Sequence, residues 1–469
     1  MNPIRNWLKS LSVATVNVLV ALVFFVVSAK ISNPAFFGKI AILQLLEVIV
    51  YAFFFLIPSQ IISRETAYLY AKQEVDKKLV GKFFSIPFLV FPFLLVLLVF
   101  PTYVMLSIPY LFLYVMVGLL NSILNGMNMY SESSATSIVF LIIRWGISIV
   151  AVILHNIYLF IGIWTLGGVI AFSLNYFWLS RKIGLVYPVF DIPFVFKSMR
   201  EGAPLYLSNV ANFFSSQGDR VTTSYLLGSY YLGIYQFAAL VGGVPSMVLD
   251  SLSNVLLPTA SFYKALGKDE KRMSSLSFRF FSLLNFLTLI ISIPVGEMVI
   301  DRFFPEYRLG LDVFILLLIS TTLPFSVTSL TNFIVAFKKD LRPFLILSAL
   351  NGGLVLLTSF LLIPRMGIIG GAISQVIVAT ISSSFTIFYA IRTSVFLPGK
   401  KEIGILSMFP LIGIYEVTID PPFLDFILIL VVLLAFKAFK IISKEEVQIV
   451  EGFLPKRLSF ISSILRILT

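Results

Sequence analysis

The sequence predicts an all-α polytopic membrane protein with about fourteen transmembrane helices. Three observations support this fold class. The chain is 58% hydrophobic and 12% charged, whereas soluble domains carry about 25% charged residues. Its apolar residues come in blocks of about 20, the length that a helix needs to cross the hydrocarbon core of a bilayer. The segments between these blocks are short, so the sequence predicts no soluble domain.

The apolar blocks follow one another along the whole chain. The first block lacks an obvious small-residue cleavage site and a second follows soon after it, so it is interpreted as a retained helix and not as a cleaved signal peptide. The thirteenth block is the shortest. The predicted spans cover residues 10–29, 37–60, 79–100, 102–124, 134–154, 157–179, 203–227, 232–258, 275–299, 311–336, 342–363, 367–391, 403–419 and 423–440.

The distribution of Lys and Arg predicts the orientation of these helices, because basic loops are retained on the cytoplasmic side. When the N-terminus is placed inside, most of the 35 basic residues fall in inside segments. This asymmetry favours an even number of spans with both termini in the cytoplasm. It also accounts for the net charge of +12 without a nucleic-acid partner. We therefore expect a multi-pass protein of the cytoplasmic membrane that is surrounded by membrane lipids.

The residue types that most enzymes need are scarce. The chain has no cysteine and one histidine, His155, and it carries no metalloprotease, P-loop or dinucleotide-binding motif. The richest outer segment, DRFFPEYRLGLD at 301–312, has no metal-ligand spacing. A polytopic glycosyltransferase or polymerase would need a catalytic or metal constellation, usually on a sizeable outer loop. The sequence therefore predicts no catalytic residue, no metal site, no resident cofactor and no enzymatic activity.

Two short stretches predict an internal repeat. The first span ends in the stretch AKISNPAFFGKIAILQL, and the seventh ends in SYLLGSYYLGIYQFAAL. Aligning Gly38 with Gly233 gives an offset of 195 residues. Because six spans separate the two stretches, the halves share one orientation, as in the parallel repeats of transporters that are related by an axis along the membrane normal.

The same stretches carry a family resemblance that extends over roughly residues 1–395. AKISNPAFFGKIAI resembles the end of the first span in the multidrug/oligosaccharidyl-lipid/polysaccharide (MOP) exporter superfamily. GDRVTTSYLLGSYYLGIYQFAAL, followed by LSNVLLPTASFY, resembles its seventh and eighth spans, and LIPRMGIIGGAISQVIVATISSSFTIFYAIR resembles the turn between its eleventh and twelfth spans. The sequence is most similar to the Wzx-type flippases of lipid-linked oligosaccharides, which are polysaccharide biosynthesis proteins.

The resemblance implies two six-helix lobes arranged in a V around a central cavity, with two extra C-terminal helices. The expected domains are an N-lobe at 1–200, a C-lobe at 201–395 and, at 396–469, the extra helices with an amphipathic cytoplasmic tail. Two features depart from the family pattern. Lys30 stands where an Arg is expected, and the chain continues beyond the twelve spans of the drug exporters. Extra spans are common on the flippase side.

The seventh predicted span carries a polar stripe that is unsuited to contact with lipid. Helical periodicity places Asn212, Ser216 and Asp219 on one face, with Arg220 on its flank. A charged residue near the bilayer centre costs roughly 2.5–3.5 kcal/mol on insertion scales and normally faces a protein interior or a watered cavity. The sequence thus points this face at a wet interior, although structural pairing of Asp219 and Arg220 with other helices is the alternative.

Further charges at membrane depth complete the candidate set. Arginine suits phosphate because its planar fork donates two hydrogen bonds, so Arg144 and Arg220 are predicted to bind the phosphate of a lipid carrier. Buried carboxylates can bind a coupling H⁺ or Na⁺, and the alternative for each is a counter-ion to a buried Arg. The predicted substrate-binding residues are Arg144, Arg220, Lys30, Lys39, Asn212 and Ser216, and the predicted ion-coupling residues are Asp219, Glu47 and Asp250. Lys30 and Lys39 lie at the outer mouth, where interfacial snorkelling explains them as well.

The resemblance implies that the protein is a flippase. It would move an oligosaccharide on a polyprenyl phosphate or pyrophosphate from the cytoplasmic to the outer leaflet by alternating access, as a monomer that can work with glycan-assembly proteins. One alternative is a multidrug or cation antiporter of the same fold, whose cavity would be aromatic and acidic. Another is a flippase of the peptidoglycan lipid precursor, whose cavity would also be cationic.

The C-terminal tail generates a testable prediction. In the stretch KRLSFISSILRILT, Leu458, Ile461, Leu465 and Leu468 recur at helical spacing beside basic residues. The segment is too short to span a bilayer, so we expect it to lie on the cytoplasmic surface. A C-terminal tag should be reached by a protease only after the membrane is permeabilised. A tag that is cleaved from outside intact cells would contradict both the tail placement and the even number of spans.

Overall fold

A computed structural model of the chain is helical almost throughout. Its described residues contain α-helices, short 3₁₀-helices and π-helical turns but no β-strand, which confirms the all-α class. The structure describes residues 3–72, 77–265, 269–337, 342–418, 423–438 and 441, so the predicted tail helix lies outside the described residues.

The helices overlap the predicted spans, but α3 lies almost wholly between the second and the third, and α11 begins eleven residues before the seventh. Within the described residues, nine helical stretches are long and apolar enough to cross a membrane, and Val16–Ile31 and Ile427–Ala438 are shorter apolar helices. The total of fourteen spans remains a prediction. The α-helices are α1 (Pro3–Ile31), α2 (Pro34–Ile49), α3 (Ser59–Ala71), α4 (Lys77–Phe84), α5 (Ile86–Leu94), α6 (Thr102–Met105), α7 (Ile108–Gly126), α8 (Tyr130–Leu141), α9 (Ser148–Ile153), α10 (Ile157–Ile183), α11 (Ile192–Ala265), α12 (Glu270–Phe303), α13 (Leu311–Phe337), α14 (Arg342–Met366), α15 (Ile368–Arg392), α16 (Lys400–Thr418) and α17 (Phe423–Ala438).

The long helix α11 is broken once. Gly228 has φ 80° and ψ −174°, so it interrupts the helix between 192–227 and 229–265. A positive φ is readily adopted only by glycine, which explains the residue at this position. The two halves of α11 correspond to the seventh and eighth predicted spans.

The chain divides into two compact units. The first unit contains residues 1–217 together with 228–233, and the second contains 218–227 together with 234–469. The helix 192–227 therefore contributes to both units. The three predicted domains, with boundaries after residues 200 and 395, remain predictions.

Each unit has its own aromatic core. In the first unit, Phe24, Phe160 and Trp164 are almost completely buried, and the Phe160 and Trp164 rings lie 4.7 Å apart. In the second unit, α12, α13 and α15 pack together, and the rings of Phe281 and Phe325 lie 4.9 Å apart across α12 and α13. Aromatic pairs at these distances add about 0.5–1.5 kcal/mol each beyond the area that they bury.

The connection between α10 and α11 is ordered. Val189 donates its backbone N–H to the carbonyl of Gly81 at 2.9 Å, and Lys82 pairs with Asp191 at 2.7 Å. The hydrogen bonds from the Lys82 ammonium and from the Phe194 backbone N–H hold the pKa of Asp191 below its usual value. Asp191 therefore stays charged and stabilises the N-terminus of α11, where negative charge is favourable.

Within the second unit, a buried ion pair joins α12 to α16 and to the residue that follows α17. Arg279 on α12 contacts Glu402 on α16 at 3.2 Å, and it also donates to the backbone carbonyl of Ile441 just after α17. Glu402 accepts a further hydrogen bond from the Gly399 backbone at 2.9 Å. The side chains of Arg279 and Glu402 are 7% and 8% exposed. Because each charge is paired and hydrogen-bonded, this pair is tolerated in the interior.

Removing one partner of this pair should destabilise the protein. Glu402→Ala leaves Arg279 buried with its charge uncompensated, which costs about 3–5 kcal/mol. The Arg308–Asp301 pair is a matched control, because it has the same 3.2 Å distance but 74% and 45% exposed side chains. Asp301→Ala should cost about 0–1 kcal/mol. Thermal unfolding of the purified variants measures both effects, and equal shifts in the two midpoints would contradict the structural role of the buried pair.

Candidate functional site

Arg144 lies in the interior of the first unit, on a turn of unusual geometry. The residues Ile142–Ile147 form a π-helical turn between α8 and α9. Trp164 on α10 donates its indole N–H to the Arg144 carbonyl oxygen at 2.9 Å, which satisfies a backbone group within the widened turn. Single π-helical turns occur frequently at functional sites. The turn therefore both marks Arg144 as a candidate and fixes its backbone.

The Arg144 side chain is paired with Glu47. One terminal nitrogen of the guanidinium donates to a carboxylate oxygen of Glu47, and the hydroxyl of Tyr110 donates to the other oxygen. Glu47 lies in the last turn of α2, before a second π-helical turn at Val50–Phe54. The Arg144 and Glu47 side chains are 11% and 4% exposed. The two charges therefore compensate each other in an environment that neither would tolerate alone.

Aromatic rings enclose the guanidinium on several sides. Its central carbon lies 4.3 Å from the ring centroid of Trp145 and 4.8 Å from that of Trp164. The rings of Phe140 and Tyr114 are both 5.9 Å away. A cation over an aromatic face gains about 0.5–1 kcal/mol at exposed sites and about 2 kcal/mol or more when desolvated. These rings hold the planar donor group of Arg144 in one orientation.

One donor of Arg144 remains available. Among the described residues, no hydrogen-bond acceptor lies within reach of the buried Arg144 Nε–H, and the same holds for the indole N–H of the neighbouring Trp145. Buried donors without partners are uncommon and call for an explanation, such as a bound water or ligand. The site is thus charge-neutral but retains unused hydrogen-bonding capacity.

The second unit contains a comparable cluster around Asp219. Asp219 is 2% exposed and accepts a hydrogen bond from the Tyr235 hydroxyl. Gln375 on α15 donates a further hydrogen bond to the carboxylate, and the charge of Arg220 acts favourably on it. Gly371 lies one turn before Gln375, and a Cβ atom there would be 3.2 Å from the Tyr235 ring. The absence of a side chain at Gly371 thus allows the tyrosine to reach Asp219.

The predicted residues fall into separate environments. Glu47 and Arg144 meet in the first unit, and Asp219 and Arg220 interact in the second. Tyr110, Trp164, Tyr235 and Gln375 are not among the predicted residues. Tyr110 and Tyr235 each lie inside an apolar span, and this is the signal that points to them, because a buried hydroxyl usually needs a partner.

The polar stripe of the seventh predicted span is not uniform. Asp219 and Thr223 are buried, whereas Asn212 and Ser216 are exposed, and the Ser216 hydroxyl donates to the Asn212 carbonyl at 2.8 Å. The stripe therefore combines buried positions with accessible ones along a single helix.

The two predicted lysines lie near the junction of α1 and α2. Lys30 is exposed, and Lys39 is half-buried with its ammonium 5.9 Å from the Tyr103 ring. Asp250 lies on α11, but its side chain is outside the described residues.

Glu47 is paired with Arg144. This is the counter-ion arrangement that the sequence analysis gives as the alternative to ion coupling. The roles assigned to all of these residues remain predictions.

Comparison with known proteins identifies the class of this chain. Residues 4–264 match the family described as "Polysaccharide biosynthesis protein", so the chain belongs to that family. Its fold is similar to that of the lipid II flippase MurJ in an inward closed conformation, with a TM-score of 0.62 and 16% identity over 91% of this chain and 96% of that one. It is also similar to an inward-facing multidrug resistance MATE family transporter of the MOP superfamily, with a TM-score of 0.53 and 11% identity over 80% of this chain and 94% of that one. No curated protein matches the chain.

The resemblance is therefore confirmed for the polysaccharide biosynthesis family, and the fold is similar to that of a transporter of the MOP superfamily. The family match covers more than half of the chain, and both solved structures share the helical fold over most of its length. The protein is a multi-pass membrane protein of the polysaccharide biosynthesis family with a transporter fold.

A double-mutant cycle tests whether Glu47 and Arg144 act as one unit. Glu47→Gln and Arg144→Met should each lower stability strongly, by about 3–5 kcal/mol, because each leaves its partner as an uncompensated buried charge. The double variant should lose far less than the sum of the two, because it leaves neither charge buried without a partner. Thermal unfolding of the purified proteins measures the cycle.

The control cycle pairs Arg144→Met with Asp219→Asn, which affects the separate cluster of the other unit. Those two effects should add, because the two clusters share no partner among the described residues. Additivity in both cycles would show that the Glu47–Arg144 contact carries no coupling energy.

Proposed function

We propose that the protein is a flippase that moves an oligosaccharide on a polyprenyl phosphate or pyrophosphate from the cytoplasmic to the outer leaflet by alternating access. The observation that carries this proposal is the match of residues 4–264 to a polysaccharide biosynthesis family. A fold similar to that of a lipid II flippase supports it, because lipid-linked substrates demand a membrane-embedded path. The family match and the fold similarity together favour transport over catalysis.

In this proposal Arg144 binds the phosphate. Its guanidinium is orientated by Trp145 and Trp164, and its Nε–H has no acceptor among the described residues. A phosphate presents several acceptor oxygens to the same planar fork and carries at least as much charge as the Glu47 carboxylate. It therefore competes with Glu47 for Arg144. Arg220, Lys30, Lys39, Asn212 and Ser216 are the further proposed substrate contacts.

The three carboxylates supply the proposed coupling step. A proton on Glu47 removes its negative charge, weakens its attraction for Arg144 and leaves the guanidinium to the phosphate. Asp219, with Tyr235 and Gln375 as hydrogen-bond donors, is the corresponding group of the second unit, and Asp250 is the third. The coupling ion is H⁺ or Na⁺. The protein works as a monomer in the cytoplasmic membrane, where glycan-assembly proteins supply and receive its substrate.

A second candidate is a flippase of the peptidoglycan lipid precursor. The structural similarity to MurJ over 91% of the chain favours it. Both candidates require a cation that recognises a phosphate at membrane depth, so Arg144 has the same role in each. The sugar moiety distinguishes them, and a transport assay with both lipids decides between them.

Arg144→Ala should abolish transport. Arg144→Lys should restore only part of it, because an ammonium offers a point charge without the planar fork. The assay is the translocation of a fluorescent polyprenyl-pyrophosphate oligosaccharide in proteoliposomes, run in parallel with the peptidoglycan lipid precursor. Arg308→Ala, at a 74% exposed position, is the matched control and should transport normally.

Loss of folding must be separated from loss of phosphate binding. The double variant with Glu47→Gln and Arg144→Met removes both buried charges, so it should remain folded and still fail to transport. If Arg144→Ala and Arg220→Ala both transport normally at wild-type protein levels, the phosphate-binding assignment is wrong and structural pairing takes its place.

A further inference from the structure

A cavity of about 560 Å³ lies within the second unit, between helices α12, α13, α15 and α16. It is separate from the Glu47–Arg144 site, which belongs to the first unit. Ligand pockets of about 300–1,000 Å³ hold drug-sized molecules, so this cavity is large enough for a small organic ligand. Among the described residues that line it, most are apolar and none is charged.

One wall of the cavity comes from a helix beyond the twelve spans of the two predicted lobes. Phe409 and Pro410 line the cavity from this helix, α16. The Phe409 ring lies 4.6 Å from the Phe286 ring on α12, and the Arg279–Glu402 pair joins the same two helices. The extra helix α16 is therefore held against α12 and closes one side of the cavity.

The cavity extends from the surface of the second unit into its interior. Among its lining residues, Thr380, Ser384 and Pro410 are exposed, whereas Asn285 and Ser383 are buried, with exposed fractions of 1% and 6%. A ligand can therefore enter from the surface of the unit and reach polar groups that are shielded from solvent.

The two buried polar side chains of the cavity lack hydrogen-bond partners. Within the part of the chain that the structure describes, nothing donates to Asn285 Oδ1 and nothing pairs with the Ser383 hydroxyl. By contrast, the hydroxyls of Thr322 and Thr380 each donate to a carbonyl oxygen of their own helix at 2.8 Å. Buried polar groups without partners are costly. A pure hydrocarbon would leave Asn285 and Ser383 unsatisfied, so the cavity favours a ligand with a hydrogen-bonding group.

We propose that this cavity binds a neutral amphiphile from the membrane, of the class of long-chain alcohols. A hydroxyl group both donates and accepts hydrogen bonds. The ligand's hydroxyl donates to Asn285 Oδ1 and accepts from the Ser383 hydroxyl, while its hydrocarbon body contacts the apolar wall. A charged head group is disfavoured, because the described lining residues offer it no counter-charge.

Photolabelling tests this site without a transport assay. The probe is dodecanol carrying a diazirine, applied to the full-length protein in nanodiscs, with unmodified dodecanol and dodecane as competitors. The label should appear on peptides that contain Leu289 or Phe409, which line the cavity. Dodecanol should compete about tenfold more strongly than dodecane, because only the alcohol pairs with the buried polar groups. Equal competition would show a cavity for any hydrocarbon and would overturn the proposal.

Asn285→Leu should remove this preference while the protein stays folded, because Leu has a similar volume and leaves no buried amide unsatisfied. Dodecanol should then compete no better than dodecane, and Ser383→Ala should reduce its advantage. Asn351→Leu is the matched control. Asn351, on α14, also has a side-chain oxygen without a described partner, but it does not line the cavity. The alcohol preference should survive in this control, and its survival in Asn285→Leu would contradict the proposed contact.

A polyprenyl phosphate, used as a further competitor, separates this ligand from the lipid tail of the proposed substrate. Its charged head group finds no counter-charge in the cavity, so it should compete no better than dodecane. If it displaces the probe as strongly as dodecanol does, the cavity holds the substrate tail and the proposal is overturned. Because labelling requires no transport, failure of the proposed flippase function and failure of this site are distinguishable.

Discussion

A polar group within the hydrocarbon core of a bilayer has no water to bond, so it must find a partner in the protein or lose several kcal/mol. This constraint explains the helical backbone, which satisfies its own N–H and carbonyl groups. It also explains where the backbone departs from regular α-helix. The widened turn at Ile142–Ile147 is placed where Trp164 can donate to the Arg144 carbonyl.

The same constraint produces a similar solution in both units. In the first, Glu47 is held by Tyr110 and Arg144, and in the second, Asp219 is held by Tyr235 and Gln375 beside Arg220. Each buried carboxylate thus has a tyrosine hydroxyl as donor and an arginine as counter-charge. A buried ion pair often adds little net stability to a protein. A functional role such as switching is therefore a hypothesis that accounts for both clusters.

The sequence predicts most of the helices and the burial of Glu47, Arg144 and Asp219, because apolar length and charge at depth are local properties. It places Arg144 and Glu47 in the membrane interior but not next to each other, since 97 residues separate them. The position of Tyr110 inside an apolar span indicates that its hydroxyl needs a partner, but not that the partner is Glu47, which is 63 residues away. The close approach of Gly38 and Gly233 shows the same limit. The repeat aligns Gly38 with Gly233, yet alignment alone says only that the residues are equivalent, and not that they touch.

The proposed transporter requires states of similar free energy, so that a bound ion or substrate can shift their populations. In the proposed cycle, a phosphate must displace Glu47 from Arg144 before it binds. This competition keeps the proposed phosphate site from holding its ligand too tightly to release it. Binding that is contested by a protein carboxylate suits a cycle of capture and release.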